Sequence, residues 1–314
     1  MKALRVVLPV SVPFVTVYVF YVDAYMPLPF DGYYNMGLVL LLRWENINSQ
    51  VFKQHLLSWL VKGFFTPLMF VPFCKDTSSL LKVGSEKFST WTKCFDFIWS
   101  FLYYIDLHFA NVGYLMTFRV SDTHVRATEN TIAGWLAALL CYPPINSVDR
   151  FYLNYHSDVM WGSMLKDQPM IKFAWGSVIL LLTGIYALAS VHFGIRFSNL
   201  TNRGIITSGP YSWTKHPAYI TKNLSWWMLY CPFAANGGWQ VRLRKSLHLL
   251  GFNLIYFFRA KCEEAMLASD PCYVRYSRVM ESKGIFRQLN ELMHEQFKKG
   301  NIVTGYSSSS DRDQ

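Results

Sequence analysis

The stretch "CPFAANGGWQVRLRK", residues 231–245, joins two apolar segments and decides how the C-terminal part of the chain folds. Its Asn-Gly-Gly triplet at 236–238 is a strong turn signal. The apolar segments on either side predict helices at 216–235 and 246–260. The sequence therefore predicts a helical hairpin, and the polar segments that flank the hairpin should lie together at one end of it.

The composition indicates a membrane protein. Of the 314 residues, 52% are hydrophobic, 17% are aromatic and only 16% are charged, whereas about a quarter of the residues of a soluble domain are charged. The net charge of +10 would fit a nucleic-acid-binding protein, but the basic residues form short clusters between apolar runs, such as "RLRK" at 242–245. Basic residues flank membrane spans in this way. We therefore expect the lipid bilayer as a partner, and no nucleic acid.

The apolar runs predict an all-α, polytopic transmembrane protein with about six to seven spans, because a spanning helix needs about 20 mostly apolar residues. A shorter run at 131–145 ends in a double proline and either spans or forms a re-entrant segment. Many Lys and Arg residues follow the last run, so the C-terminus should be cytoplasmic. We expect a multi-pass protein of a bacterial inner membrane or the endoplasmic reticulum. The main predicted spans are residues 1–22, 55–73, 95–118, 171–193, 216–235 and 246–260.

The segment that leaves the hairpin carries three charged residues of interest. Arg259 precedes Glu263 by four residues, so the two share one helix face. Glu264 points about 100° away from Glu263. Adjacent acids at the end of a membrane helix are costly to dehydrate. They form either a solvated helix end with an ion pair or part of a functional site.

The segment that leads into the hairpin, "SGPYSWTKHPAYITKN" at 208–223, is rich in aromatic rings. Pro217 fits the first turn of a helix. It also holds His216 extended, which turns the His216 side chain away from the helix. Tyr211 and Tyr219 offer flat faces for stacking. The alternative is an interfacial belt of aromatic residues, with His216 as a capping group.

Ionisable residues in other segments leave further alternatives open. Asp106 and His108 lie within a predicted span, where an ionisable group is a functional candidate, but a structural hydrogen-bonding role is equally open. His156 and Asp158 would suit a metal pair, yet no third ligand has a suitable spacing. We expect an interfacial loop there and no metal. The six cysteines include no Cys-x-x-Cys pair, so the sequence does not indicate a zinc or redox motif.

Two segments together resemble a known family. They are "RGIITSGPYSWTKHPAYI" at 203–220 and "RAKCEEAMLASDPCYVRYSRV" at 259–279. Residues 196–280 resemble the C-terminal half of the isoprenylcysteine carboxyl methyltransferase family and the related integral-membrane phospholipid methyltransferases. The shared pattern is Gly-Pro-Tyr at 209–211, His-Pro-x-Tyr at 216–219, Arg259 followed by Glu263 and Glu264, and Tyr-x-x-Tyr at 273–276.

The resemblance implies a function as well as a fold. It implies a methyltransferase core built on the C-terminal hairpin, with S-adenosylmethionine bound from the cytosolic side as the cofactor. A lipophilic small molecule or a lipidated substrate would enter from the bilayer. The cofactor-binding residues that the resemblance implies are Tyr211, His216, Pro217, Tyr219 and Glu264.

The residues expected to act on the methyl acceptor are Arg259 and Glu263. Arg259 could guide the charge of a carboxylate acceptor, and Glu263 or Glu264 could take the proton from an amine acceptor. The chain departs from the family pattern at two positions. Lys215 stands where the family usually has Arg, and Thr221 stands where glycine is common.

The predicted organisation has three parts, and two other functions remain open. Residues 1–165 form an N-terminal membrane-spanning region that could give the substrate access, residues 166–290 form the methyltransferase-like core, and residues 291–314 form a polar tail. A sterol-reductase-like NADPH-dependent oxidoreductase is disfavoured, because such proteins tend to carry Arg-Asp in place of the Glu-Glu at 263–264. A membrane scaffold or transporter with a degenerate methyltransferase half is the non-enzymatic alternative. The sequence leaves the acceptor and the oligomeric state undetermined.

Overall fold

The computed structural model describes residues 2–25, 30–82, 84, 88–142, 161–288 and 291. These residues are almost entirely helical. The helices are α1 (Lys2–Tyr25), α2 (Gly32–Leu40), α3 (Ser49–Leu80), α4 (Trp91–Leu115), α5 (Ile132–Leu139), α6 (Trp161–Met164), α7 (Pro169–Phe193), α8 (Pro217–Tyr230), α9 (Gly238–Leu267) and α10 (Pro271–Lys283).

Two of the described helical segments, Ser49–Leu80 and Pro169–Arg196, are long and apolar enough to cross a membrane, by length and composition alone. The predicted count of six to seven spans is therefore not confirmed. The run predicted to span at 216–235 forms α8, which has 14 residues and is about 21 Å long, short of the ~30 Å apolar layer of a bilayer. It ends early because Cys231 adopts a left-handed backbone conformation, with φ 41°, immediately before Pro232.

Four helices pack side by side in the order α3, α4, α7 and α8. Helix α7 presents small buried residues, Gly176, Ala187 and Ser190, to its neighbours, which lets membrane helices approach closely. Its opposite face carries large exposed apolar side chains, including Leu181 at 63% exposure. Such an exterior suits a lipid environment. The core cluster between α3 and α4 consists of Val61, Phe65, Met69, Ala110, Tyr114, Ala138 and Leu200.

A pair of short β-strands corrects the all-α expectation. Strand β1 (Ala127–Thr128) pairs antiparallel with β2 (Thr201–Asn202), so the fold is nearly, but not wholly, all-α. The strands join two loops whose backbone groups need partners once they are buried. Two residues per strand give no alternating hydrophobic pattern that a sequence could display.

The buried side chain of Arg203 fixes the same loops. Its guanidinium donates to the carbonyl oxygens of Thr123 at 2.7 Å, Gly113 at 2.6 Å and Phe197 at 2.9 Å, and also to that of Met116. Arg203 is only 3% exposed, and these hydrogen bonds satisfy a buried charge that would otherwise be costly. The loop after α7 is thereby attached to the C-terminal end of α4.

The hairpin predicted at 216–260 is present as α8 and α9. The two helices run antiparallel and are joined by side-chain hydrogen bonds at mid-length. Trp227 Nε1 donates to Asn253 Oδ1 at 2.7 Å, and Asn253 Nδ2 donates to Asn223 Oδ1 at 2.7 Å. One asparagine amide thus connects two residues of the facing helix.

We predict that Asn253→Leu destabilises the protein by about 1–2 kcal/mol, because it leaves Trp227 Nε1 and the Asn223 amide oxygen without their partner. Reversible unfolding in mixed detergent micelles measures this loss. The control is Leu254→Ala on the exposed face of the same helix, where Leu254 is 52% exposed and the cost should be smaller. Equal losses in the two variants would contradict a role for the amide cross-link.

Candidate active site

A cavity of about 540 Å³ lies between the hairpin and the helices that precede it. Helices α3, α4, α7, α8, α9 and α10 and the loop after α7 all contribute side chains to its wall. The volume falls within the range of about 300–1,000 Å³ that is typical of small-molecule sites. The N-terminal half therefore forms part of the same cavity as the hairpin.

His216 brings the two polar ends of the hairpin together. It is the N-cap residue of α8 but makes no capping hydrogen bond with its side chain. Its Nε2 lies 3.1 Å from Glu264 Oε1, and its Nδ1 lies 3.9 Å from Glu263 Oε2. Its ring also stacks on Tyr219, with ring centres 5.5 Å apart. The segments around 216 and 264 thus meet, as the sequence predicts.

Glu263 is the centre of a network on the cavity wall. Tyr219 donates its hydroxyl hydrogen to Glu263 Oε1, and Arg259 Nε donates to the same oxygen at 3.3 Å. The predicted pairing of Arg259 with Glu263 on one helix face is therefore present. Arg259, Glu263, Tyr219 and His216 all line the cavity.

The orientation of Arg259 is fixed from several sides. The residue is only 4% exposed, and its Nη2 donates to Asn199 Oδ1 at 2.5 Å. Asn199 is itself held through its amide nitrogen, which donates to the hydroxyl oxygens of Tyr114 and Tyr142 at 2.8 and 3.1 Å. The guanidinium carbon also lies over the rings of Tyr142, Tyr219 and Tyr256, 5.6, 5.0 and 6.0 Å from their centres.

Glu264 and Pro217 support the site from behind the cavity wall. Neither residue lines the cavity. Glu264 accepts hydrogen bonds from His216 and, at 2.8 Å, from Lys261, and these partners lower the pKa of the Glu264 carboxyl to about 2, the His216 hydrogen bond most strongly. Pro217 is fully buried at the first position of α8. Both residues therefore hold His216 in place.

Tyr211 belongs to a tight turn at Gly209–Ser212 and is buried against the cavity. Gly209 has φ +60°, and a Cβ atom there would lie 2.2 Å from His192 Nε2, so a side chain at this position would be strained and glycine is favoured. Helix α10 holds the turn from the other side. Tyr276 donates to the carbonyl oxygens of Tyr211 at 2.7 Å and Thr214 at 3.2 Å.

The two positions that depart from the family pattern are both accounted for in the structure. Lys215 forms an ion pair with Glu281 of α10, at 3.0 Å, and lines the cavity. Thr221 does not line the cavity, and its hydroxyl donates to the carbonyl oxygen of Pro217 at 2.9 Å. The Thr221 side chain is thus turned back onto its own helix.

Tyr273 is a cavity residue to which sequence reasoning assigned no role. Its side chain is buried and lines the cavity, and its hydroxyl oxygen has no hydrogen-bond partner among the described residues. A buried hydroxyl without a partner is costly, so this group is a candidate to bind a ligand. The signal was present in the Tyr-x-x-Tyr pattern at 273–276, which carried the family resemblance.

The sequence analysis singled out four ionisable residues outside the hairpin, and the structure places them differently with respect to the cavity. Asp106 lines the cavity and accepts hydrogen bonds from Tyr186 Oη and Ser190 Oγ, so it has both a structural contact and a place on the cavity wall. His108 is exposed and does not line the cavity. His156 and Asp158 lie outside the described residues.

Comparison with known proteins shows that the region containing the hairpin is similar to a known family. Residues 170–269 match the model of the isoprenylcysteine carboxyl methyltransferase (ICMT) family. The matched region covers α7, α8 and α9 and includes all seven residues predicted for the site, so the resemblance noted for the C-terminal half is confirmed. No curated protein and no solved structure matches the chain. The ICMT match indicates a membrane methyltransferase and supports neither a reductase nor a scaffold.

We predict that Glu264 makes the stability of the protein depend on pH in the acidic range. Its pKa in the folded protein lies below its usual value of 4.5. Its contribution to stability is therefore fully present above pH 4.5 and is lost as the pH falls toward about 2. Thermal unfolding in detergent should show Glu264→Gln to be less stable than wild type at neutral pH, with the difference shrinking below pH 4.5.

The control for this measurement is Glu45→Gln, since Glu45 is exposed and lies outside the site. It should show no such convergence with wild type. Solvent screening moderates the size of the Glu264 effect because that carboxylate is partly exposed. A difference between Glu264→Gln and wild type that stays constant through the acidic range would contradict the assignment.

Proposed function

We propose that this chain is an integral-membrane methyltransferase that uses S-adenosylmethionine and methylates a lipophilic acceptor bearing a carboxylate or an amine. One observation carries the proposal: a network of polar contacts links the two helices of the hairpin at the wall of a ligand-sized cavity. The network consists of His216, Tyr219, Arg259 and Glu263. The ICMT family match over the same hairpin supports the reaction class. The apolar exteriors of α3 and α7 support a membrane location.

The residues on the cavity wall fit S-adenosylmethionine. The cavity is large enough for a ligand of that size, and the unpartnered hydroxyl of Tyr273 offers a hydrogen bond that no described side chain uses. His216 and Glu263 would bind hydroxyl and amino groups of the cofactor, and Tyr211 and Tyr219 offer aromatic faces. Glu264 and Pro217 would act through His216, since they lie behind the wall.

The bound cofactor would supply a methyl group on a positively charged sulfur. The side chains of the chain would align the acceptor and exclude water, which are the main requirements of such a displacement. Arg259, held by Asn199 and Glu263, would orient a carboxylate acceptor. Glu263 would accept the proton that an amine acceptor must lose.

The N-terminal region would provide the acceptor side of the cavity. Leu68 and Met69 of α3 and Leu107 and Ala110 of α4 give this wall an apolar character, which suits a lipid chain arriving from the bilayer. We therefore propose that residues 1–165 and 166–290 form one binding site between them. A multi-pass arrangement with a cytoplasmic C-terminus is part of the same proposal and places His216 and Glu264 at the cytosolic end of the hairpin.

We predict that Tyr273→Phe weakens the binding of S-adenosylhomocysteine by about tenfold, the usual effect of losing one buried hydrogen bond. The substitution should not lower stability, because the hydroxyl has no partner in the protein. Titration of the detergent-solubilised protein by isothermal calorimetry measures the binding, and thermal unfolding measures the stability.

Tyr276→Phe is the matched control, because the Tyr276 hydroxyl already donates to two carbonyl oxygens. It should lower stability. Titration with NADPH should give no binding in any variant. Tight NADPH binding, or S-adenosylhomocysteine binding that is unchanged in Tyr273→Phe, would count against the proposed site.

We also predict that Arg259→Lys lowers methyl transfer by about 100-fold, the cost of misplacing one preorganised donor. The assay incubates the protein with isotope-labelled S-adenosylmethionine and a membrane lipid extract, and mass spectrometry identifies the labelled product. S-adenosylhomocysteine affinity serves as the control and should change much less than the rate. Methyl transfer at the wild-type rate by Arg259→Lys would exclude a catalytic role for the guanidinium.

A further inference from the structure

Lys222 is one of several cationic side chains that line the cavity, and it lies outside the hydrogen-bond network around Glu263. It lies on α8 and lines the cavity. It follows Tyr219 by three residues, so both residues face the same side of the helix. It also lies six residues after His216, which is about 9 Å further along the helix. Lys222 therefore adds a positive charge to a part of the cavity wall that lies beyond the His216 end of α8.

The ammonium group of Lys222 is surrounded by aromatic rings. Its Nζ lies 4.9 Å from the ring centre of Tyr186, 5.4 Å from that of Trp226 and 5.9 Å from that of Tyr256. Among the described residues, it makes no hydrogen bond and no ion pair with a carboxylate. The rings thus hold the cation without neutralising it.

Asp106, a carboxylate that lines the same cavity, is engaged elsewhere. Its Oδ2 accepts from Tyr186 and its Oδ1 accepts from Ser190. These hydrogen bonds tie the carboxylate of α4 to α7. Asp106 lines the same cavity as Lys222, but no oxygen of Asp106 lies within 4.0 Å of the Lys222 ammonium, the limit for an ion pair.

Electrostatics indicates what this part of the cavity would bind. A cation between apolar walls loses hydration, and stacking over aromatic rings compensates only part of that cost. An anionic group on a ligand would compensate the rest of the lost hydration by pairing with the Lys222 ammonium. An ammonium group on a ligand would be repelled by Lys222, which already occupies the space between the aromatic rings. Lys222 thus discriminates between ligands by charge.

We propose that Lys222 is a specificity-determining residue, which binds an anionic group of the acceptor and excludes acceptors whose head group carries only a positive charge. The inference rests on the proposed function, because it assigns the acceptor to this cavity. The anionic group is a carboxylate or a phosphate, and both would form an ion pair with the ammonium.

The first test uses the wild-type protein and three amphiphiles of equal chain length: dodecanoate, dodecyl phosphate and dodecylamine. Binding is followed by quenching of tryptophan fluorescence at a fixed detergent concentration. At least one anionic probe should bind about tenfold more tightly than the amine. Preference for dodecanoate would identify an acid, and preference for dodecyl phosphate would identify a phosphate ester. Equal or tighter binding of dodecylamine would overturn the proposal and favour Asp106 as the partner of the head group.

The second test removes the charge at constant side-chain length. Lys222→Met should weaken binding of the preferred anionic probe by about 10- to 100-fold, while Lys222→Arg should keep the preference for anions. Lys75→Met is the matched control, because Lys75 is an exposed residue of α3 that does not line the cavity, and it should behave as wild type. Unchanged anion binding in Lys222→Met would contradict the proposal.

The outcome can be separated from that of the proposed function. Probe binding requires no cofactor, and S-adenosylhomocysteine is titrated into the same samples. Its affinity should change much less in Lys222→Met than that of the anionic probe, because the rings around Lys222 are not among the residues assigned to the cofactor. Anion preference without S-adenosylhomocysteine binding would refute the methyltransferase proposal alone, and the reverse result would refute the role of Lys222 alone.

Discussion

The hydrogen bonds from His216 and Tyr219 to two adjacent glutamates keep the polar end of the hairpin closed. Two neighbouring carboxylates near the end of α9 would repel each other and would be costly to dehydrate. Here each carboxylate has its own partners, with Arg259 and Tyr219 at Glu263 and His216 and Lys261 at Glu264. The cavity wall formed by α8 and α9 depends on these hydrogen bonds and ion pairs to the two carboxylates.

Local features of the fold were predictable from the sequence, whereas the ends of helices were less so. The hairpin followed from an Asn-Gly-Gly turn between apolar runs, and the contact of Arg259 with Glu263 followed from helical spacing. The number of spans did not follow, because hydropathy counts apolar residues but does not show where a helix stops. The left-handed backbone at Cys231 shortens α8, and the strand pair between the loops is too short to leave a pattern.

The site was predictable only where its residues lie in recognisable motifs. His216 and Glu263 belong to two such motifs, and the structure brings them to the same cavity. Asn199 and Asp106 reach the site through contacts between distant segments, since Asp106 meets residues that lie 80 and 84 positions away in the chain. No periodicity or spacing reports contacts of that kind. Tyr273 stood in a motif, but only its burial without a partner gave it a role.

The attachment of Arg203 has a consequence for how the cavity can open. One guanidinium holds four carbonyl oxygens, which belong to the C-terminal end of α4 and to the loops after α4 and α7, and hydrogen bonds from a charged donor are about twice as strong as neutral ones. On the opposite side, the turn that contains Tyr211 is held to α10 by one tyrosine hydroxyl, one backbone hydrogen bond from Ile285 to Trp213 and a partly exposed ion pair. We therefore expect the α10 side to give way first. A polar molecule would then enter the cavity when α10 separates from the turn that contains Tyr211, while the loops bound by Arg203 stay in place.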